Sequence, residues 1–331
     1  MRYAVAIGTP LGRIMELRQL RYLVAIAEHG SFSRAAEKVF IAQSALSHQL
    51  AQLEQELGAQ LLHRAHRGVE LTEAGRAFLP HAKAILRQTE DARASVRSAP
   101  GEPAGKVVIG LPQSISNALA LPLLQAVRTA LPNVELELTE ELTGTLTDQL
   151  RTGSLHLALL FDNGDLSEFD TRQLASERLC LIARRPAQGV APRTVSLRKA
   201  LSMPLVLPAG RHGVRPIIER IARERGYGAP HVIADISSVS ILRSTLLAGI
   251  GHTLLPVMPL KADVDSGALM AVPVVSPPLV RVVAVCASRR VPLTAAAAAV
   301  LQTLDALVHE LCRSGAWVDA TPLGIPIEAD D

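Results

Sequence analysis

Aromatic side chains are scarce: one Trp, three Tyr and five Phe make up 3% of 331 residues, so aliphatic groups have to fill any core. Cysteine is scarcer. Cys180, Cys286 and Cys312 are far apart, odd in number and without a CxxC pair. That argues against a disulfide framework or a zinc site and fits a reducing cytoplasm; each reads as a small buried hydrophobe. Neither sign of charge dominates, since 34 Lys and Arg against 31 Asp and Glu leave a net charge of +3. A polyanionic partner therefore has to be met by a local patch. No apolar run reaches the length of a membrane span. The first apolar residues are too few for a secretory signal and are interrupted by Pro10, Gly12 and Arg13. Catalytic signatures fail as well. There is no HExxH and no GxSxG, and Gly101 to Lys106 resembles a phosphate loop but has three residues between its glycines, with Val107 where a magnesium-binding hydroxyl belongs. No metal or cofactor is called for.

What is present begins with 48% hydrophobic residues, enough for a sizeable core, in a length that suggests two or three domains. The stretch 30–58, GSFSRAAEKVFIAQSALSHQLAQLEQELG, reads as two short helices and a tight turn. Leu46, Leu50, Leu53 and Leu57 share one face of the second helix. Gln43, Ser44, Ser47, His48 and Ala51 share the other, a small polar surface that suits base edges in a DNA major groove. The first helix, over 33–39, turns Ala35, Ala36 and Val39 inward, and Phe40 and Ile41 are expected to anchor the turn, because Ala42 makes a poor N-cap. The pattern fits a helix-turn-helix over 32–51 and equally fits an ordinary amphipathic helical hairpin.

A hairpin follows, with strand-like runs at 61–64 and 69–72 and a glycine, Gly68, where positive φ is expected. Its tip gathers Arg64, His66 and Arg67, a cationic point for phosphates or simply a solvated basic turn. Thr72 caps a long helix over 73–96. Ala74, Phe78, Ala82, Ile85, Thr89, Ala92 and Val96 form a narrow stripe on it, a seam for self-pairing. Residues 98–105 are dense in Pro and Gly and read as a hinge.

Beyond the hinge, eight short apolar runs between 106–111 and 280–287 alternate with helical segments between 117–130 and 293–312. This alternation implies an α/β sheet, and the loop-like stretch 184–195 splits it into two lobes around a cleft. The tail after Trp317 shows no period and reads as disordered. Gln113, Ser114 and Ser116 after the first strand, Thr143 at a helix start, Ser237 after Asp235, and Arg211 in the loop 208–213 are candidates to bind a small ligand. Helix N-termini attract anions, arginine forks carboxylates, and ligands sit at the carboxyl ends of strands in open α/β sheets. Asp162 and Asp235 also lie at strand ends, where capping or solvation is the plainer role.

The motifs MELRQL (15–20), GSFSRAA (30–36), AQSALS (42–47), Leu53-Glu54 and LTEAG (71–75) together resemble the LysR-type transcriptional regulators, and the resemblance runs from Met15 to about Cys312. It implies a winged helix-turn-helix, a dimerising linker helix, and a two-lobed α/β effector domain similar to periplasmic solute-binding proteins. It also implies dimers or tetramers on interrupted palindromes. Carried onto this chain, the family's base-contacting positions fall on Gln43, Ser44, Ser47 and His48; many members have Arg where His48 stands. Its effector positions fall near Gln113, Ser114, Thr143 and the 208–211 loop. The phrases GLPQ (110–113), LVLP (205–208) and Gly249-Ile-Gly251 look most similar to the nitrogen-assimilation-control branch.

The expected organisation is an extension over 1–14, a DNA-binding domain over 15–72, a linker helix over 73–99, an effector domain over 106–312 and a tail over 313–331. The expected protein is a cytoplasmic, oligomeric, sequence-specific DNA-binding regulator, not an enzyme, modulated by a small anionic metabolite, with RNA polymerase as a further partner. Arg34 and Gln49 join Gln43, Ser44, Ser47, His48, Arg64 and Arg67 as DNA-contacting candidates. The rival reading is a solute-binding or enzymatic α/β protein whose N-terminal hairpin pairs with another protein.

Overall fold

Leucine spacing in the first sixty residues produces three short helices in the computed structural model, which describes residues 15–65, 68–97, 102–186, 192–208 and 213–324. Helices α1 (Leu17–His29), α2 (Phe32–Lys38) and α3 (Gln43–Leu57) are followed by a hairpin of β1 (Leu62–Ala65) and β2 (Gly68–Leu71) and by the long α4 (Glu73–Arg97). Leu20, Leu23 and Ile26 of α1, Ala35 and Ala36 of α2, and Leu46, Leu50 and Leu53 of α3 meet in one buried core. The two alanines allow a close crossing of α2 and α3. Gly30 and Gly58, at φ +60° and +65°, end α1 and α3 in the left-handed conformation that glycine adopts without strain.

Three expectations change here. Phe40 does not anchor the turn: it is 93% exposed at φ +57°. The reversal between α2 and α3 needs a left-handed residue, at a cost of about 1–2 kcal/mol for a non-glycine. Ile41 alone packs onto the core, and Ala42 provides no side-chain cap. Leu57 is 37% exposed, at the end of α3 beyond the packed leucines. The stripe on α4 also divides. Ala74, Phe78 and Ala82 belong to the core of the helical unit, whereas Ile85 and Val96, in the distal half, are exposed. The Thr72 hydroxyl caps α4 as expected, accepting the Gly75 N–H at 2.9 Å.

The second unit carries β3 (Gly105–Leu111), α5 (Gln113–Ala130), β4 (Val134–Glu140), α6 (Thr143–Arg151), β5 (Leu157–Asp162) and β6 (Phe169–Arg178). It continues through β7 (Cys180–Arg184), β8 (Val195–Ser196), α7 (Leu197–Leu201), β9 (Leu205–Leu207), α8 (Val214–Glu224), β10 (Val232–Asp235) and α9 (Val239–Leu247). It closes with β11 (Thr253–Leu255), α10 (Lys261–Asp265), β12 (Leu269–Val275), β13 (Val280–Ser288), α11 (Ala295–Arg313) and β14 (Ala320–Pro322). A six-stranded sheet, β14-β6-β13-β5-β3-β4, forms one lobe. Both of its faces are buried: Val107, Ile109, Leu157 and Leu159 pack on one side, and Val108, Ala158 and Leu160 on the other. That is why these strands read as continuous apolar runs. The sheet β11-β7-β12-β8 and the pair β10-β9 form the other lobe, whose core runs from Leu179 to Leu279.

The chain passes between the lobes at those two leucines. Leu179 N–H donates to the Leu279 carbonyl at 2.9 Å, so the two crossings are bonded side by side. The stretch 178–183 is thus cut at Leu179, between the end of β6 and the start of β7. β6 and β12 were not legible as strands. β6 is rich in polar residues that find buried partners, and β12 contains Pro273. The tail is not wholly disordered either: Trp317 is buried and β14 pairs with β6. Contrary to the expectation, α11 is long and apolar enough to cross a membrane. Its Ala297, Val300, Leu304 and Val308 are fully buried in the core of the first lobe.

Cys180 and Cys286 are buried as expected, but Cys312 is only half-buried. Burial, reinforced by Asp319, pushes the Cys180 thiol up to about 12. Burial likewise pushes Cys286 and Cys312 up to about 11. With folded-state values above the ordinary thiol range, thiolate is scarce until the pH rises well past 9. The folded chain should therefore resist alkylation by N-ethylmaleimide at pH 8, with all three thiols reacting once it is denatured, as read by mass spectrometry. Rapid labelling of folded Cys180 or Cys286 would contradict this burial.

Candidate nucleic-acid interface and effector cleft

Because Leu46, Leu50 and Leu53 hold one side of α3 in the core, its other side is turned outward. Gln43, Ser44 and His48 are exposed, Ser47 and Gln49 half-buried. Ser44, His48 and Gln49 border a shallow hollow with Arg18 and Tyr22 of α1, two residues that the sequence did not single out. Arg34 is exposed near the start of α2, where its N–H donates to the Ser31 hydroxyl. The first-turn N–H groups of α3 have no capping side chain, so this end is open to an anion such as phosphate.

The hairpin beside α3 is pinned by one carboxylate. Glu54 Oε1 accepts the N–H groups of Leu61 and Leu62 at 2.7 and 3.1 Å. Hydrogen bonds to a charged acceptor contribute about 1.5–3 kcal/mol each. Gly75 lets α4 dock against the same segment: a Cβ there would lie 1.9 Å from the Leu61 carbonyl oxygen. Gly68, at φ +129°, sits so close to Gly30 that a Cβ would fall 2.4 Å from its carbonyl oxygen, and the adjacent Val69 N–H bonds that oxygen at 3.0 Å. Arg64 lies on β1. His66 and Arg67, and the placement of the Arg64 side chain, lie outside the described residues.

A cleft of about 280 Å³ opens in the second unit, lined by residues of both lobes. Gln113 and Ser114 at the start of α5, Thr143 at the start of α6, and Ser237 before α9 line it, as expected. Ser116 does not. Its hydroxyl is taken up between the Gln113 carbonyl and the Glu140 carboxylate. Arg211 lies outside the described residues, though Pro208 and Gly213 on either side of its loop line the cleft. Gln113 reaches from one lobe to the other, its Oε1 accepting the Val239 N–H at 3.1 Å. The strand-end carboxylates have structural roles. Asp162 accepts from the Gly164 N–H and from Gln173, and Asp235 is ion-paired to Arg215.

Among the lining residues that the sequence reading passed over are Glu141, Phe161 and Arg281. Arg281 and Glu177 are opposite each other in the β13–β6 ladder. Arg281 Nε donates to Glu177 Oε2 at 2.6 Å, and the guanidinium stands 4.1 Å from the centre of the Phe161 ring. Trp317 Nε1 donates to Glu177 Oε1 at 2.8 Å. Arg281 is 2% exposed, and its Nη2 has no hydrogen-bond partner among the described residues. A buried donor left unpaired costs about 1–3 kcal/mol. A lone Arg inside the apolar run 279–287 is the signal that a buried charge sits here.

Comparison with known proteins gives a consistent picture. Residues 17–76 match the bacterial regulatory helix-turn-helix protein, lysR family, and residues 100–308 match the LysR substrate binding domain. The chain belongs to the LysR family of bacterial transcriptional regulators. The nitrogen assimilation regulatory protein nac of Klebsiella aerogenes is 38% identical over 73% of this chain and 78% of its own length. ShiR of Corynebacterium glutamicum, an HTH-type transcriptional regulator, is 43% identical over 51% of this chain and 57% of its own. Among solved structures, a full-length OxyR variant from Pseudomonas aeruginosa superposes with a TM-score of 0.67 at 23% identity, over 93% of this chain and 98% of that one. CbnR bound to its target DNA gives 0.66 at 23%, over 89% and 99%. The fold is thus that of this family throughout. As a LysR regulator, the protein is a DNA-binding transcriptional regulator with an effector-binding domain and not an enzyme.

In this LysR chain the family motif Leu53-Glu54 has a physical reading, one residue for the core and one for the hairpin. Glu54→Ala should leave two backbone donors without their acceptor and cost about 2 kcal/mol or more. Hydrogen exchange should show faster amides across β1 and β2, with α1 protected as before. Glu54→Gln, which keeps the oxygen, should lose less. Unchanged exchange in the alanine variant would remove Glu54 from this role.

Proposed function

We propose that this regulator reads an interrupted palindrome with the outward face of α3, that it acts as a dimer or tetramer, and that a small effector in the cleft tunes it. The single observation that carries the DNA reading is the exposed polar face of α3. Gln43, Ser44, Ser47 and His48 present donors and acceptors at helical spacing, with no long apolar group among them. Gln49 and Arg34 flank that face. Arg64 and Arg67 at the hairpin hold phosphates and supply affinity without sequence choice. The distal half of the α4 stripe, with Ile85 and Val96 exposed, supplies the self-pairing surface. Pairing fixes half-site spacing.

The effector reading rests on a pocket at the carboxyl ends of strands between two lobes, with Gln113, Ser114, Thr143 and Ser237 on its walls and Arg211 in the loop beside it. Ligand shifts the arrangement of dimers by as much as it prefers one state over the other. Membership of this family supports a bacterial cytoplasmic regulator with RNA polymerase as its downstream partner.

Gel shifts with duplexes selected from a random pool test the DNA reading. Specific affinity should fall steeply as salt rises. Ser47→Ala should weaken specific binding by about 1 kcal/mol or more while leaving nonspecific binding near its original level, whereas Arg67→Ala should weaken both. Absence of any sequence preference at low salt would leave the rival reading, a solute-binding protein with an interaction hairpin, in possession.

A further inference from the structure

We propose that Phe40 is a further DNA contact, its ring packing against the methyl group of a thymine beside the bases that α3 reads; this rests on the reading of α3 as the base-contacting helix. Phe40 is 93% exposed at φ +57°. Both facts count against it in the free protein. Glycine or asparagine would take that left-handed backbone with less strain, and a polar side chain would leave no apolar surface in water. The turn itself does not need the ring. Phe40 N–H donates to the Glu37 carbonyl at 3.3 Å, and Ile41 N–H to the Ala36 carbonyl at 3.1 Å. Any residue but proline could make the first of these bonds, and Ile41 alone packs onto the core. A strained backbone position that the surroundings hold in place is a mark of function.

The surroundings favour DNA as the occupant. Phe40 stands three residues before Gln43, which opens α3, and the N-terminal residues of a recognition helix are those that meet base edges. The first-turn N–H groups of α3 have no capping side chain and so favour phosphate nearby. On α2 the exposed Arg34 and Lys38 outnumber Glu37. A cation just before the ring and an open helix N-terminus just after it suit a polyanion that also carries apolar groups. Duplex DNA is such a partner. In its major groove the apolar group is the thymine methyl, and phenylalanine is among the side chains that match it. A protein docking on this turn would want a wider apolar patch, whereas Glu37, Lys38, Gln43 and Ser44 are exposed and polar. The ring brings no charge, so it adds sequence choice without adding to salt dependence.

Fluorescence anisotropy with the full-length protein and a duplex selected from a random pool tests this contact. Each thymine of one half-site is replaced in turn by deoxyuridine, which lacks only the methyl group. The wild-type chain should lose about fourfold in affinity at one of these positions, the effect of one buried methyl. Phe40→Gly should bind the all-thymine duplex at least about fourfold more weakly and be indifferent to deoxyuridine at that position. It should keep the salt dependence of the wild type, because no charge is removed. Its melting temperature should not fall, since glycine takes φ +57° without strain. If both proteins bind with sequence preference and respond alike to every deoxyuridine, Phe40 touches no thymine methyl; the contact is overturned and the α3 reading stands. Unchanged affinity of Phe40→Gly for the selected duplex gives the ring to another partner, such as a protein, and overturns it too. A clear fall in melting temperature, or equal weakening on selected and random duplexes, makes Phe40 a structural residue with the same consequence. No sequence preference of the wild-type chain at low salt sinks the α3 reading and this contact together.

Discussion

The ion pair between Arg281 and Glu177 stands at the point where the two lobes of the effector domain are joined. Each residue lies two positions from a crossing, Glu177 before Leu179 and Arg281 after Leu279, and they face each other in the ladder between β6 and β13. A buried pair of this kind is not a reliable source of stability, because desolvation offsets its attraction. Losing one partner is another matter and costs about 3–5 kcal/mol. The pair thus fixes which strands lie side by side at the crossing more than it adds to the stability of the fold. Through Trp317 it also ties down the segment after α11, so β14 is held to the same sheet.

The DNA-binding unit shows the same device on a smaller scale. Glu54 is a charged residue on an otherwise polar turn of α3, and both of its bonds go to the start of the hairpin. One carboxylate thereby converts the orientation of a helix into the position of a wing. The glycines at 68 and 75 complete the arrangement by close approach, each with its Cα facing a backbone carbonyl that a methyl group would strike. In both units charged groups orient backbone, while aliphatic side chains supply the burial that drives folding.

Much of this was legible beforehand. The three N-terminal helices, the hairpin, the long linker helix and the α/β alternation follow from apolar period and turn residues, which act locally. Gln113, Ser114, Thr143 and Ser237 line the cleft because each stands at or beside a helix start after a parallel strand, which opens there whatever the rest of the fold does. The errors share a cause. Phe40 was read as an anchor from its hydrophobicity, but the turn required a left-handed backbone that points it to solvent. Ser116 was grouped with its neighbours, but its hydroxyl finds Glu140 on the adjacent strand. β6 was missed because Arg172 and Glu177 look solvated until Asp305 and Arg281 are brought beside them from more than a hundred residues away.

The sequence by itself determined the family and the outward polar face of α3, since these rest on residues within one or two helical turns of each other. Only the tertiary structure decided that half of the linker stripe is spent inside the DNA-binding core. It alone decided, too, that the chain crosses between lobes at Leu179 and Leu279, and that an arginine from a core strand forms part of the cleft wall. Those facts depend on pairing between distant segments. A charge in an apolar run is a defect in sequence, and it becomes part of the fold only when the strand opposite supplies its counter-ion.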